Sequence, residues 1–295
     1  MFQITPLGPG RYRILLQGVR ACYLYRDRTV ALVDSGFPSD AEDLAAALDA
    51  LGIGPGQVDA VLLTHVHADH GGGAGHLLRD NPEAVAWVHP EGVAHLRDPS
   101  RLNRAIRNAY GERYEVVGAL LPIEPAERVR PLEPGIALQV GGATLRPFFT
   151  PGHCKHHAIY FDKERRTVYS GDALGSRYEG LPSFILSPPS DYDLEQAKDS
   201  IDRIAALEPQ WICFTHNAPF APDPAGTFYR QLKAQHDRWV QTVREIVAED
   251  PEVSPPQAVE RFLERRPELA AYPSQRFSFG LSVRGILGYL RRSEG

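Results

Sequence analysis

The segment THVHADH constrains the fold of this chain more than any other stretch, because it holds four metal-binding side chains within seven residues. These are His65, His67, Asp69 and His70, and they directly follow VDAVLL, a continuous apolar run typical of a buried strand. In an extended segment, residues i and i+2 point the same way, so His65 and His67 can hold one ion. A turn after them can direct Asp69 and His70 towards a second ion. The stretch therefore predicts a metal centre at the end of a buried strand.

Three further donors lie where an apolar strand is predicted to end. His153 follows ATLRPFF in the turn TPGHC, Asp172 follows TVYS in the turn SGD, and His216 follows WICF in the turn THN. In an open α/β sheet, the ligand crevice lies outside the carboxyl ends of the strands. Together with THVHADH, these turns supply five histidines and two aspartates from four strand ends. This arrangement predicts a site for two metal ions.

The donor types indicate the cofactor and the chemistry. Imidazole and carboxylate ligands suit zinc, with iron and manganese as alternatives. We expect two divalent ions per chain. Two such cations can hold a bridging water as hydroxide near neutral pH and polarise a carbonyl or phosphoryl oxygen. Asp69 and Asp172 would orient the hydroxide and accept its proton, so they are the predicted catalytic residues.

This motif set resembles the metallo-β-lactamase fold superfamily. The resemblance rests on THVHADH, on the downstream GH, GD and TH turns and on the early VDSG, and it covers roughly residues 10–220. It implies an α/β fold, an αββα sandwich of two mixed β-sheets with outer helices, and a site along one edge of both sheets. It also implies how the ligands are shared: His65, His67 and His153 on one ion, Asp69, His70 and His216 on the other, and Asp172 bridging both.

Two residues are predicted to support the ligands from behind. Asp34, in VDSG, would orient a ligand loop. The thioesterase branch of the superfamily carries a segment similar to H-x-x-G-H, where this chain reads HCKHH. His157 matches the second histidine of that pattern, whereas His156 replaces the glycine, so the local turn is expected to differ.

Other side chains near these turns have weaker predicted roles. Lys155 and Tyr178 follow metal-binding turns and are candidates for contact with a substrate carboxylate or oxyanion, with an exposed surface position as the alternative. Cys154 adjoins a ligand but matches no ligand position of the pattern. We therefore predict a packing or bystander role for it, with a reactive thiol as the alternative.

Strand and helix patterns divide the chain into two parts. Residues 1–220 contain two successive groups of predicted strands and helices, and we expect them to form the sandwich domain. Residues 221–295 contain no strand pattern and are predicted to form a helical C-terminal subdomain, either a lid or an interface. Its predicted helices span 227–249, 255–265 and 281–292.

Composition limits the cellular setting. The three cysteines are odd in number and widely spaced, which favours a reducing compartment over a disulfide framework. No apolar stretch approaches the ~18 residues needed to span a bilayer, and the N-terminal sequence lacks the pattern of an export signal. A cytoplasmic location is the expectation.

The resemblance implies hydrolysis of a small ester-like bond, a thioester or a lactone, as in the glyoxalase II and lactonase branches. One alternative is a persulfide dioxygenase, which uses a single iron held at the positions of His65, His153 and Asp172. Phosphodiester cleavage on RNA is less favoured, because the net charge of −5 differs from the basic face that nucleic acids require. We expect a small-molecule substrate, no nucleic-acid or membrane partner, and a homodimer as one option for the assembly.

Overall fold

Two β-sheets form the centre of the molecule. The computed structural model describes residues 1–133, 135–176, 185–186, 189, 191–216 and 219–294. The strands are β1 (Phe2–Gly8), β2 (Arg11–Leu16), β3 (Arg20–Arg26), β4 (Val30–Val33), β5 (Ala60–Leu62), β6 (Val85–Val88), β7 (Val129–Pro131), β8 (Leu138–Val140), β9 (Ala143–Phe149), β10 (Ala158–Asp162), β11 (Thr167–Gly171) and β12 (Trp211–Phe214). The helices are α1 (Ala41–Ala50), α2 (Ala68–Gly71), α3 (Ala74–Arg79), α4 (Val93–Arg97), α5 (Ser100–Tyr110), α6 (Tyr114–Val117), α7 (Leu194–Ala206), α8 (Thr227–Glu249), α9 (Pro255–Arg265), α10 (Pro267–Ala270) and α11 (Arg276–Ser293).

Both sheets are mixed. The first has the order β1-β2-β3-β4-β5-β6-β7, antiparallel up to β4 and parallel from β4 to β7. The second has the order β12-β11-β10-β9-β8, antiparallel except for the parallel pair β11 and β12. Strands β9, β11 and β12 therefore run in one direction and end at one edge of their sheet. The turns that follow them are the ones predicted to carry His153, Asp172 and His216.

Side chains from both sheets meet in a core between them. Tyr23 and Tyr25 of the first sheet pack against Tyr169 of the second, with Tyr23 and Tyr169 ring centres 5.0 Å apart. The buried hydroxyls of Tyr25 and Tyr169 lie 2.7 Å apart, which satisfies polar groups that burial would otherwise penalise. Helices α1 and α3 cover the outer face of the first sheet, and α7 covers that of the second. The predicted αββα sandwich is confirmed.

The C-terminal helices pack outside the second sheet. Trp239, Phe262 and Phe279, from α8, α9 and α11, share one apolar core with residues of α7 and β12. Helices α8 and α9 have the predicted bounds, but the last helix begins at Arg276 and not at residue 281. The division into two domains at residue 220 stays a prediction. Among the residues described, no helix is both long enough and apolar enough to cross a bilayer.

A buried histidine in this helical region makes stability sensitive to acid. His236 on α8 is buried, its Nδ1 lies 2.7 Å from the Tyr192 hydroxyl, and burial lowers its pKa from 6.5 to about 4. The unfolded chain therefore binds a proton more readily than the native chain between these values. The stability that the fold gains by keeping His236 neutral is lost as the pH falls from 6.5 to 4. The free energy of unfolding is therefore about 3 kcal/mol lower at pH 4 than at pH 7.

We expect the variant His236→Asn to abolish this part of the pH dependence, because asparagine does not titrate and can still bond to Tyr192. Urea unfolding of wild type and variant at pH 7 and pH 4 measures the difference. Equal loss of unfolding free energy in the two proteins would contradict the assignment.

Candidate metal centre

The two sheets meet at the edge where the predicted ligand turns emerge. The amide of Ala158 at the start of β10 donates to the carbonyl of Thr64 after β5 (2.7 Å), and the amide of Ala21 on β3 donates to that of Thr215 after β12 (2.7 Å). These two hydrogen bonds join the first sheet to the second at the strand ends. Side chains from four separate turns are thereby brought to one place.

The first group of donors comes from the turns after β5 and β9. The ring centre of His65 lies 4.5 Å from that of His67 and 5.0 Å from that of His153. Nε2 of His153 is 3.0 Å from Nδ1 of His67. One donor atom from each of these histidines, together with Sγ of Cys154, falls in a cluster whose members all lie within 4.8 Å of one another.

The second group lies beside the first and shares Asp172 with it. Asp69 Oδ2 is 3.0 Å from His216 Nε2 and 3.7 Å from His70 Nε2. Oδ1 of Asp172 is 3.4 Å from His70 Nε2, and Oδ2 of the same carboxylate is 3.6 Å from His153 Nε2. Asp172 thus directs one oxygen to each group.

Buried polar atoms test whether this arrangement fits metal ions. His65 Nε2, His70 Nε2 and Asp172 Oδ1 form no hydrogen bond of good geometry among the described residues, although all three atoms are buried and the last two lie 3.4 Å apart. Leaving such atoms unsatisfied costs free energy. The same three residues form a cluster with donor atoms within 4.8 Å of each other. The donors therefore fit a cation, which would satisfy all of them.

Protonation states agree with this fit. Burial lowers the pKa of His65 well below its usual range and that of His153 to about 4, so both offer a lone pair at neutral pH. Burial alone would raise the pKa of Asp69 and Asp172, but the neighbouring His70 holds both carboxyls ionised. His70 is the exception: despite its burial, Asp172, Asp69 and Asp34 raise its pKa. A proton on His70 offsets the negative charge of these three carboxylates, which a bound metal ion would offset in its place.

Asp34 organises the second layer of the site. Its carboxylate accepts hydrogen bonds from the amide of Thr64 (2.8 Å), from the hydroxyls of Thr64 (2.9 Å) and Thr215 (3.3 Å), and from Nδ1 of His70 (2.9 Å). Asp34 adopts a left-handed conformation with φ of 61°, which aspartate tolerates better than most residues. The structure therefore places Asp34 in contact with the candidate ligand His70 and with the two threonines that precede the candidate ligands His65 and His216. The two threonines were missed, although each precedes a candidate ligand in a Thr-His pair.

His157 also lies behind the ligands. The amide of Asp172 donates to its Nε2 (3.1 Å), so the ring carries its proton on Nδ1 and donates it to the Thr150 hydroxyl (2.8 Å). Burial lowers the pKa of His157, which favours this neutral form. His157 thereby ties the turn that carries Asp172 to the one that carries His153.

The predicted substrate contacts are less closely tied to the site. Lys155 is exposed, and its amide donates to Asp191 Oδ2 (3.2 Å), while Tyr178 lies outside the described residues. Asp191 was missed, since it follows no strand pattern. Its pKa is lowered despite burial, by the Lys155 amide and by His67, which places an ionised carboxylate near the ligands.

The backbone before His153 is held in a shape that requires glycine. Gly152 has φ of 128°, and a Cβ added there would lie 2.2 Å from the amide nitrogen of Ala197 on α7. We expect Gly152→Ala to lower the free energy of unfolding by about 3 kcal/mol, from steric overlap and backbone strain. Urea unfolding measures the loss. Gly54→Ala is the control, because its added Cβ meets only Gln57 at 3.7 Å; similar losses in both variants would contradict the prediction.

Comparisons with known proteins agree with this geometry. The family model described as the metallo-beta-lactamase superfamily matches residues 16–216. The hydroxyacylglutathione hydrolase of Synechococcus sp. is 31% identical over 170 residues, covering 54% of this chain and 52% of that protein. The atrochrysone carboxyl ACP thioesterase of Aspergillus fumigatus is 29% identical over 211 residues, covering 69% and 52%. The matched stretches thus span about half the length of these two relatives.

Solved structures share the fold. A metallo-beta-lactamase family protein from Thermus thermophilus has a TM-score of 0.66 at 24% identity, covering 100% of this chain and 93% of its own. A beta-lactamase domain protein from Burkholderia ambifaria has a TM-score of 0.68 at 22% identity, covering 99% and 89%. Both alignments extend over nearly the whole chain, including the C-terminal helices.

Proposed function

Since the chain belongs to the metallo-β-lactamase superfamily, we propose that it is a dinuclear metal-dependent hydrolase that cleaves a small thioester. The observation that carries the proposal is the placement of Asp172, whose two oxygens approach His153 at 3.6 Å and His70 at 3.4 Å. Such a carboxylate can join two ions into one centre. When bound, a pair of divalent cations activates water and polarises the carbonyl oxygen of the substrate.

The chain's own residues divide the remaining work. One ion would be held by His65, His67 and His153, and the other by Asp69, His70 and His216. The side chain of Asp69 is 22% exposed and that of Asp172 only 6%, so Asp69 can exchange a proton with solvent more readily. Asp69 is therefore the proposed proton acceptor during attack on the substrate. Asp34 and His157 keep the ligands in orientation.

The names of two similar proteins favour a thioester over a lactone as the proposed substrate. Two proteins similar to this chain are named a hydroxyacylglutathione hydrolase and an acyl-carrier-protein thioesterase, and both names describe thioester cleavage. Lactones carry a carbonyl of similar reactivity and are the first alternative. A net charge of −5 disfavours RNA as a substrate.

Metal content and an assay panel test the proposal. We expect protein purified without added metal to contain up to two divalent ions per chain, to hydrolyse a thioester in preference to a lactone or a phosphodiester, and to lose both activity and thermal stability after chelation. Restored turnover on adding zinc would support the assignment. A single iron per chain, with oxygen consumed in the presence of a persulfide, would instead establish the dioxygenase alternative.

A further inference from the structure

Cys154 lies inside the candidate metal centre and not in the apolar core. Its side chain is fully buried, and its Sγ lies within 4.8 Å of a donor atom on each of His65, His67 and His153. The other two cysteines, Cys22 and Cys213, belong to apolar clusters within the sandwich. The packing role predicted from the sequence describes those two residues better than it describes Cys154.

A second feature of this cluster, besides the position of the thiol, points to a ligand. Nε2 of His65 has no hydrogen-bond partner among the described residues, and its side chain is 0% exposed. That nitrogen is the one donor His65 can contribute, because its Nδ1 lies 3.1 Å from the Thr64 hydroxyl. The residue that carries this unsatisfied atom, His65, belongs to the same cluster as Cys154.

A neighbouring histidine holds the thiol in place. Nδ1 of His156 lies 3.3 Å from Sγ of Cys154, and its ring is stacked over that of His65 at 6.2 Å. Cys154 and His156 are two of the residues between His153 and His157, and His156 stands where the pattern H-x-x-G-H has glycine. This departure from the pattern thus supplies a partner for the thiol.

We propose that Cys154 is a fourth ligand of the ion held by His65, His67 and His153. The inference rests on the metal centre of the proposed function. On binding, the S–H bond breaks, the proton is released to solvent, and a sulfur lone pair forms the bond to the ion. His156 can then take the tautomer with a proton on Nδ1 and donate it to the thiolate. Three imidazoles and a thiolate, together with the shared carboxylate of Asp172, would form a donor set that favours zinc or iron over manganese.

X-ray absorption on the wild-type protein loaded with zinc tests this directly. A sulfur scatterer at about 2.3 Å, beside nitrogen at about 2.0 Å, is expected if Cys154 coordinates the ion. Loading the metal-free protein with cobalt(II) should likewise produce a near-ultraviolet sulfur-to-metal charge-transfer band. Neither measurement depends on activity or on a variant that folds.

Two variants test whether the sulfur detected beside the metal ion is that of Cys154. Cys154→Ala should lose the band and bind its first zinc ion about 10-fold more weakly or worse, since even groups behind the ligands contribute roughly 10- to 100-fold. Cys22→Ala is the matched control and should keep both the charge-transfer band and the wild-type affinity for zinc. Bound metal with no sulfur scatterer, or a band that survives Cys154→Ala, would overturn this inference and leave the hydrolase proposal intact. Failure to bind any divalent ion would overturn both.

Discussion

Asp69→Asn is expected to lower kcat by about 100-fold or more while both ions stay bound. The Asp69 carboxylate lies 3.0 Å from His216 and is ionised at neutral pH, because His70 and His216 lower its pKa despite its burial. Asparagine keeps the shape and one oxygen ligand, but it cannot accept a proton. General acid–base catalysis by a positioned group contributes roughly 10²- to 10⁴-fold, which sets the expected loss. Steady-state kinetics with a thioester substrate, alongside metal analysis of the same sample, measure it.

A nearby carboxylate provides the control for charge. Asp191 is also ionised and lies close to His67, but it belongs to none of the three clusters of candidate metal donors. Asp191→Asn removes the same charge, and we expect kcat to stay within a few-fold of wild type. If Asp69→Asn with full metal content turned over at the wild-type rate, the proposed proton transfer would be wrong. Loss of one ion in this variant would instead assign Asp69 a role as ligand only.

The convergence of donors could be predicted because it depends on strand direction. An apolar run such as WICF or TVYS indicates a buried strand, and the residue after it lies at the sheet edge whatever the details of packing. His153, Asp172 and His216 follow strands that run in one direction, so their turns meet. At these positions the local apolar pattern alone predicts where the side chain lies in the folded protein.

Elements at the periphery were predicted less well. The edge strand Phe2–Gly8, half-buried and containing Pro6, is absent from the sequence-based prediction. Proline is tolerated at a sheet edge but weakens any strand pattern. The last helix starts before its predicted residue and includes Gly280, whose low helix propensity is outweighed there by packing against α9.

Contacts between distant segments could not be predicted from local patterns. The hydroxyls of Thr64 and Thr215 both donate to the Asp34 carboxylate, although the two threonines are far apart in the sequence. Asp191 approaches the site from an irregular loop, where no periodicity indicates a direction. Cys154 follows the candidate ligand His153 in the sequence, but only three-dimensional geometry shows that its sulfur lies among the candidate donors.

The second large effect is expected from Asp34→Asn, which removes a buried negative charge that accepts four hydrogen bonds from Thr64, Thr215 and His70. An asparagine at this position offers one acceptor oxygen, and its amide hydrogens would face hydroxyl and ring donors. Removing one partner from such a network costs about 3–5 kcal/mol of unfolding free energy. Affinity for zinc should fall roughly 10- to 100-fold as well, because His70 loses the group that orients its ring.

Thr215→Val separates these two effects of Asp34. It removes the 3.3 Å hydrogen bond to Asp34 and a 3.4 Å contact with Nδ1 of His70, but leaves the Asp34 carboxylate and its 2.9 Å hydrogen bond with His70 in place. The expected loss is therefore about 1 kcal/mol of unfolding free energy, with little change in zinc affinity. Urea unfolding of the metal-free proteins and calorimetric zinc titration give both quantities. If Asp34→Asn destabilised the fold but bound zinc as tightly as Thr215→Val, Asp34 would serve only the turn after β4. A joint loss would show that one carboxylate supports both the strand ends and the metal ligand.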